Sequence, residues 1–173
     1  MIDYTKDYYT GLSKMYFERI LKKIIQLGDL RNEQGIILDF GCGHGYLKTM
    51  LPQQNVVGYD IIEDLSDVKD YKKVKPQVIV CNNILEHFTE KGIKQKLKEF
   101  KKMNKHARII TAVPTENWLS SIGMKITGRT NAHDDHKTKR SEINEILTRE
   151  CELINRKNVV TLSEISVWVF KEK

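Results

Sequence analysis

Four short runs, IILDF (36–40), NVVGYDII (55–62), PQVIVCNNIL (76–85) and HARIITAVPT (106–115), are rich in Ile and Val and almost continuously apolar. A strand with one face in water alternates apolar and polar residues. A run without alternation describes a strand covered on both faces, as in a parallel sheet. Helical stretches stand between the runs. In KGIKQKLKEFKKMNKHAR (91–108), Ile93, Leu97 and Phe100 recur at helical spacing among lysines, which reads as the solvated side of an amphipathic helix. The alternating order predicts a doubly wound α/β fold with a mostly parallel sheet.

The ends of the chain extend this order. Within an N-terminal helical segment (1–35), the clear element runs from about Ser13 to Leu27, with Ser13 as N-cap and Gly28 as stop. YLKTMLP gives a short helix closed by Pro52. SEINEILTR (141–149) reads as a helix capped by Ser141, and CELINRKNVV with EISVWVFKEK as two strands joined by a short turn. A hairpin cannot be wholly parallel, so one C-terminal strand should run antiparallel to the rest. Between Asp60 and Gln77 there is too little chain for a crossover helix and a strand. A very short strand around 66–71, or none, is expected there.

No linker or repeat interrupts residues 1–173, which are read as one domain. No apolar run approaches the roughly 20 residues of a membrane span, and MIDYTKDYYTGL has no signal-peptide pattern, so a cytoplasmic protein is expected. Cys42, Cys81 and Cys151 are scattered beside apolar runs, which is neither a disulfide framework nor a zinc pattern. The net charge of +6 favours an anionic partner, but no aromatic residues interleave the lysines as a nucleic-acid surface would require.

The first run ends in Asp39 and then Gly41, Cys42, Gly43, His44 and Gly45. Glycines allow close backbone approach, and this loop falls at the carboxyl end of a strand, where open α/β sheets bind ligands. A P-loop would continue Gly-Lys-Ser/Thr; here Tyr46 and Leu47 follow Gly45. A dinucleotide loop places its third glycine one residue later and needs no acid just before it. Asp39 would repel a pyrophosphate and attract an ammonium group, while Asp60, ending the next run, suits a ribose diol. The pair fits a ligand with a ribose at one end and an amino acid at the other.

ILDFGCGHGYL, VVGYDI, VIVCNNILEHF and IITAVPT, in that order, resemble the class I S-adenosylmethionine-dependent methyltransferases, most closely the small-molecule branch with Leu-Glu-His after the family's fourth strand. The resemblance implies a Rossmann-like sheet, here with a shortened region between the family's second and fourth strands. It implies S-adenosyl-L-methionine as cofactor and S-adenosyl-L-homocysteine as product. Asp39 and the loop Gly41, Cys42, Gly43 and Gly45 would hold the methionine end, Asp60 the ribose, and Ile61 the adenine face. Asn82, Asn83 and Ile84 would line the cofactor near its sulfur. Asp70, with Asp67 as alternate, would meet the adenine amino group, and Tyr8 or Tyr9 would close over the methionine end.

On the acceptor side, the resemblance directs attention to His87 and His136, with His133 read as a loop residue and no metal expected. Residues 115–140, with Trp118, Leu119, Ile122, Met124 and Ile126, are read as a substrate lid. The acceptor expected is a small molecule, anionic or hydrophobic, methylated on oxygen or nitrogen. RNA or protein methylation, and cofactor binding without catalysis, are the alternatives. Asn82-Asn83-Ile84-Leu85 lacks the Pro-Pro-aromatic run of base-amino methylation, and Cys81 lacks the preceding Pro of cytosine-carbon methylation.

Overall fold

A computed structural model describes residues 11–115, 136–159 and 163–172. Its helices are α1 (Gly11–Leu27), α2 (Tyr46–Met50), α3 (Glu90–Met103) and α4 (Arg140–Glu150). Its strands are β1 (Ile37–Phe40), β2 (Val56–Tyr59), β3 (Val78–Asn82), β4 (Arg108–Pro114), β5 (Cys151–Val159) and β6 (Ser163–Phe170). They form one sheet in the order β2-β1-β3-β4-β6-β5. Strands β1 to β4 pair in parallel, while β6 is antiparallel to both β4 and β5. This is the doubly wound α/β sheet with a C-terminal antiparallel strand that the apolar runs predict.

Both faces of the sheet are covered, which is why the runs do not alternate. Leu38, Phe40, Ile79, Cys81 and Ile109 pack with Ile93, Leu97 and Phe100 of α3 and with Ile143, Ile146 and Leu147 of α4. Ile37, Val78, Val80 and Ile110 pack on the other side with Ile20, Leu21 and Ile24 of α1 and with Leu47 of α2. Successive strand residues point to opposite faces. Asp39 therefore belongs to the face shared by Ile37, α1 and α2.

Two capping expectations are corrected. α1 begins at Gly11, which places Ser13 inside the first turn. α4 begins at Arg140, so Ser141 lies within the helix; the carboxylate of Glu142 instead accepts from the Lys139 backbone N–H at 2.9 Å. A carboxylate three residues in can satisfy an N-cap amide and suits the positive end of the helix dipole. Gly28 does follow the last residue of α1. An added Cβ there would lie 2.2 Å from the Ile110 Cδ1, so a larger residue would have to displace that buried side chain.

The segment 60–76 contains two single turns, Glu63–Leu65 and Tyr71–Lys73, and no strand. This leaves β2 at the sheet edge, with backbone groups that must find other partners. Asp67 supplies both. Its backbone N–H donates to the Gly58 carbonyl at 2.9 Å, and its carboxylate accepts from the Gly58 N–H at 2.7 Å and from Lys48 Nζ at 2.9 Å. Burial opposes the charge on Asp67, but these donors outweigh it and hold the carboxyl below its ordinary range.

Tyr71 fills the space beneath the same segment. Its ring meets Tyr59 at 4.6 Å and Phe40 at 5.0 Å, and its hydroxyl donates to Glu99 while accepting from Lys96 Nζ at 2.7 Å. Burial would raise the Glu99 carboxyl, yet donors from Tyr71, Lys96 and Gln95 bring it down to about 2.

Asp67→Ala leaves the edge N–H of Gly58 without its acceptor and should destabilise the protein by about 1–3 kcal/mol. Asp67→Asn keeps an acceptor oxygen and should recover much of that loss. Urea unfolding of the two variants beside the parent checks this; equal stability of all three would contradict the edge-pairing role.

Candidate functional site

The site follows from the order of the strands. From β1 the chain turns outward to β2, and from β3 it turns the other way to β4. β1 and β3 are adjacent, with Asp39 opposite Val80, so a crevice opens beyond their carboxyl ends at the point where the winding reverses. The glycine loop rises on one side of it and residues 82–88 on the other.

Gly41, Gly43 and Gly45 have φ values of +83°, +50° and +70°, which only glycine adopts without strain. At Gly41 the missing side chain serves packing, since an added Cβ would lie 2.8 Å from Ile84 Cγ1. Ile84 thus packs against the loop. The loop's amides face inward. Gly41 N–H and Cys42 N–H both donate to the Tyr59 carbonyl, at 2.8 and 3.1 Å, and Gly45 N–H donates to the Cys42 carbonyl at 3.0 Å. Gly43 N–H donates to Asp60 Oδ2 at 2.9 Å. A phosphate site presents such amides to its ligand; here they bind the loop to the end of β2.

Asp60 therefore has two tasks at once. Its carboxylate accepts from Gly43 N–H and, at 3.0 Å, from Ile62 N–H. Each carboxylate oxygen retains a second lone pair for a ligand. Ile61 beside it is 78% exposed, an apolar side chain left in water at the mouth of the site.

Asp39 lies at the base, 4% exposed. Burial, reinforced by the charges of Asp60 and Asp67, pushes its carboxyl up to about 7. A cavity of about 300 Å³ adjoins it, bounded by Cys42, Gly43, Lys48, Gly58 and Asp67. The Cys42 thiol donates to the Leu65 carbonyl at 3.3 Å, and burial, with the same carboxylates, pushes it up to about 12. It is a packed thiol rather than a nucleophile.

Across the crevice, Asn82 Oδ1, Asn83 Oδ1 and Glu86 Oε2 are buried and have no hydrogen-bond partner among the described residues. Buried polar atoms are ordinarily paired, and three orphans within five residues mark a place where something else supplies the donors. Asn83 also has φ +50°, a left-handed conformation uncommon outside glycine. Glu86 is 3% exposed, and burial pushes its carboxyl up to about 8.

The fold brings His87 and His136 together, with ring centroids 5.2 Å apart and planes at 79°. Asp70 instead caps the Tyr71–Lys73 turn, accepting from Lys72 N–H at 3.1 Å, so its place on the adenine amino group rests on the resemblance alone. Tyr8, Tyr9, His133 and residues 116–135 of the expected lid lie outside the described residues. The sequence reading gives Glu86 no role. The signal for it was an acid set between Leu85 and the expected His87, in a turn that the fold buries.

A family profile described as "Methyltransferase domain" matches residues 12–152. The chain belongs to this methyltransferase family. The four motifs read from the sequence are thereby placed in the right family.

No curated protein matches the sequence. Among solved structures, this methyltransferase is similar to the PH0226 protein from Pyrococcus horikoshii OT3, with 16% identity, 99% of this chain and 100% of that one covered, and a TM-score of 0.70. A SAM-dependent methyltransferase from Archaeoglobus fulgidus gives 16% identity, 94% and 99% coverage, and a TM-score of 0.64. Magnesium protoporphyrin IX methyltransferase from Synechocystis PCC 6803, solved with bound SAH, gives 19% identity, 95% and 91% coverage, and a TM-score of 0.57. These likenesses establish a shared Rossmann-like fold. No helix among the described residues is long and apolar enough to cross a membrane.

The raised carboxyl of Asp39 gives the methyltransferase a pH signature. Its folded pKa exceeds the unfolded value, so the native state binds a proton that the unfolded chain releases above about pH 4. Stability from this group is present below that pH and is lost as pH rises through about 7. Asp39→Asn should leave the ligand-free protein little changed at pH 4.5 and more stable at pH 8, by up to about 4 kcal/mol. Thermal melts at the two pH values check the difference; no gain at pH 8 would show that Asp39 is ionised without penalty.

Proposed function

We propose that this methyltransferase uses S-adenosylmethionine to methylate an oxygen or nitrogen of a small-molecule acceptor, at the crevice between the glycine loop and residues 82–88. One observation carries the reading: the buried carboxyl of Asp39 near the end of β1 lies beside a glycine loop whose Gly41, Cys42, Gly43 and Gly45 amides are already engaged, and Asn82 and Asn83 at the end of the adjacent β3 have buried oxygens without a partner among the described residues. Such a site offers acceptors to a ligand that is itself cationic and rich in donors.

Asp39 ionises to pair with the ammonium group at the methionine end, with the bare backbone of Gly41, Gly43 and Gly45 and the adjoining Cys42 shaping that end. Asp60 accepts from the ribose hydroxyls, and Ile61 loses its exposure against the adenine. Asn82 and Asn83 take up the remaining donors near the sulfur, and Ile84 packs beside them. The bound donor supplies a methyl group already activated by its sulfonium charge. In the transfer, the acceptor–carbon bond forms as the carbon–sulfur bond breaks, the electron pair passes to sulfur, and the acceptor's proton leaves to solvent. The chain contributes alignment and control of that proton. Glu86, His87 and His136 stand on the side where the acceptor must lie.

The absence of the two nucleobase motifs argues against base-amino and cytosine-carbon methylation. The lysines of α3 surround a buried apolar stripe and read as its solvated face. The Synechocystis neighbour is itself named for methylating a small molecule, magnesium protoporphyrin IX.

Calorimetry with S-adenosylhomocysteine tests the donor assignment. Asp60→Ala removes a charged acceptor and should weaken binding by roughly 10–100-fold. His87→Ala should bind like the parent yet lose most turnover in an acceptor screen. Unchanged affinity in the first variant, or binding of NAD in place of S-adenosyl compounds, would overturn the reading.

A further inference from the structure

Glu86, His87 and His136 each present a metal-ligating atom, and these three atoms lie within 4.8 Å of one another. The sequence separates His136 from the other two by a long stretch of chain, and a metal was not expected. The fold supplies what the sequence conceals. Glu86 and His87 occupy the tight turn Leu85–His87 directly after β3. Residues 136–138 are held against that turn by three hydrogen bonds. Lys137 N–H and Thr138 N–H donate to the Glu86 carbonyl, at 2.8 and 3.3 Å, and Thr138 Oγ1 donates to the Phe88 carbonyl at 2.6 Å. These bonds would serve merely to anchor the start of α4, but they set His136 edge-on to His87, with planes at 79°. In that geometry ring nitrogens can converge on one point, which stacked rings do not allow.

A second observation points to a ligand at this point. Glu86 is 3% exposed, and its Oε2 is buried without a partner among the described residues. A carboxylate in that position requires either a proton or a counter-charge.

We propose that Glu86, His87 and His136 form a binding site for a divalent first-row transition cation beside the methyl-transfer crevice. Two imidazoles and one carboxylate suit zinc, cobalt, manganese or iron(II) better than magnesium or calcium, whose sites are built from oxygen. In a tetrahedral site with bonds of about 2.1 Å, ligand atoms stand about 3.4 Å apart, so the three donors close on the ion by roughly an ångström of side-chain rotation. Three protein donors leave a coordination position open. On the reading that this crevice transfers methyl groups, that position takes the acceptor's hydroxyl oxygen. The cation lowers the hydroxyl's pKa, and its proton departs to water before the oxygen attacks the methyl carbon. The substrate class narrows accordingly to hydroxyl acceptors.

Cobalt(II) reports the site directly, because imidazole and carboxylate ligation gives visible d–d absorption. Tag-free, chelator-treated protein titrated with Co²⁺ should develop this absorption to one equivalent, and Zn²⁺ should abolish it. His87→Ala and His136→Ala should each weaken Co²⁺ binding by more than about 100-fold, the scale on which even supporting groups around metals act. His106→Ala, at an exposed histidine after α3, should bind like the parent. Circular dichroism and S-adenosylhomocysteine binding of each variant establish that fold and donor site persist. Absence of Co²⁺ absorption in the parent, or unchanged affinity in both histidine variants, overturns the cation site while leaving the methyl-donor reading intact. Co²⁺ binding without S-adenosylhomocysteine binding would have the opposite meaning, retaining the cation and removing the donor.

Discussion

The pairing of β1 with β3 is the constraint on which the rest depends. Once Asp39 stands opposite Val80, the chain leaving β1 and the chain leaving β3 must diverge, and a crevice opens between them. The glycine loop bends back onto β2 because Tyr59 and Asp60 accept its amides. Residues 82–88 rise on the other wall because β3 continues in register with β4 as far as Asn82 and Ala112, and the Asn83 N–H still donates to the Ala112 carbonyl at 2.9 Å. Both walls are therefore tied to the sheet by hydrogen bonds to their backbone.

Polarity is distributed unevenly across that crevice. Elsewhere among the described residues the buried side-chain polar groups are matched, as where Trp168 Nε1 donates to Thr111 Oγ1 at 3.1 Å or Glu164 accepts from Arg140 and Asn144. Around the crevice the matching stops, and Asp39 and Glu86 both sit with carboxyls pushed upward by burial. Unrelieved groups of this kind destabilise a fold on their own, and they persist where a ligand relieves them. The proposed donor recognition, proton control and cation site all draw on that one local imbalance.

The architecture was largely legible in the sequence because strands covered on both faces leave short apolar runs, here rich in β-branched residues and too short for buried helices. The missing strand between β2 and β3 was legible as a shortage of chain. What replaces it was not: Asp67 reads as one more surface acid until Gly58 is seen to need both a donor and an acceptor. Caps were misread at Ser13 and Ser141 because a serine beside an apolar pattern has the same appearance inside a first turn as before it. On the site, Asp39, Asp60, Asn82 and Asn83 became candidates through motif order. Glu86 was missed because burial, a property of the fold, is what distinguishes it from an ordinary helix-leading acid, and its meeting with His136 depends on hydrogen bonds made far along the chain.

A crystal structure with S-adenosylhomocysteine is the most direct measurement. The expected result has the ligand's ammonium group against Asp39, its ribose hydroxyls on Asp60, Ile61 covered by the adenine, and Asn82 Oδ1 and Asn83 Oδ1 supplied with donors. A ligand bound elsewhere, or bound in the crevice with its ammonium group away from Asp39 and both asparagine oxygens still without donors, would contradict the account.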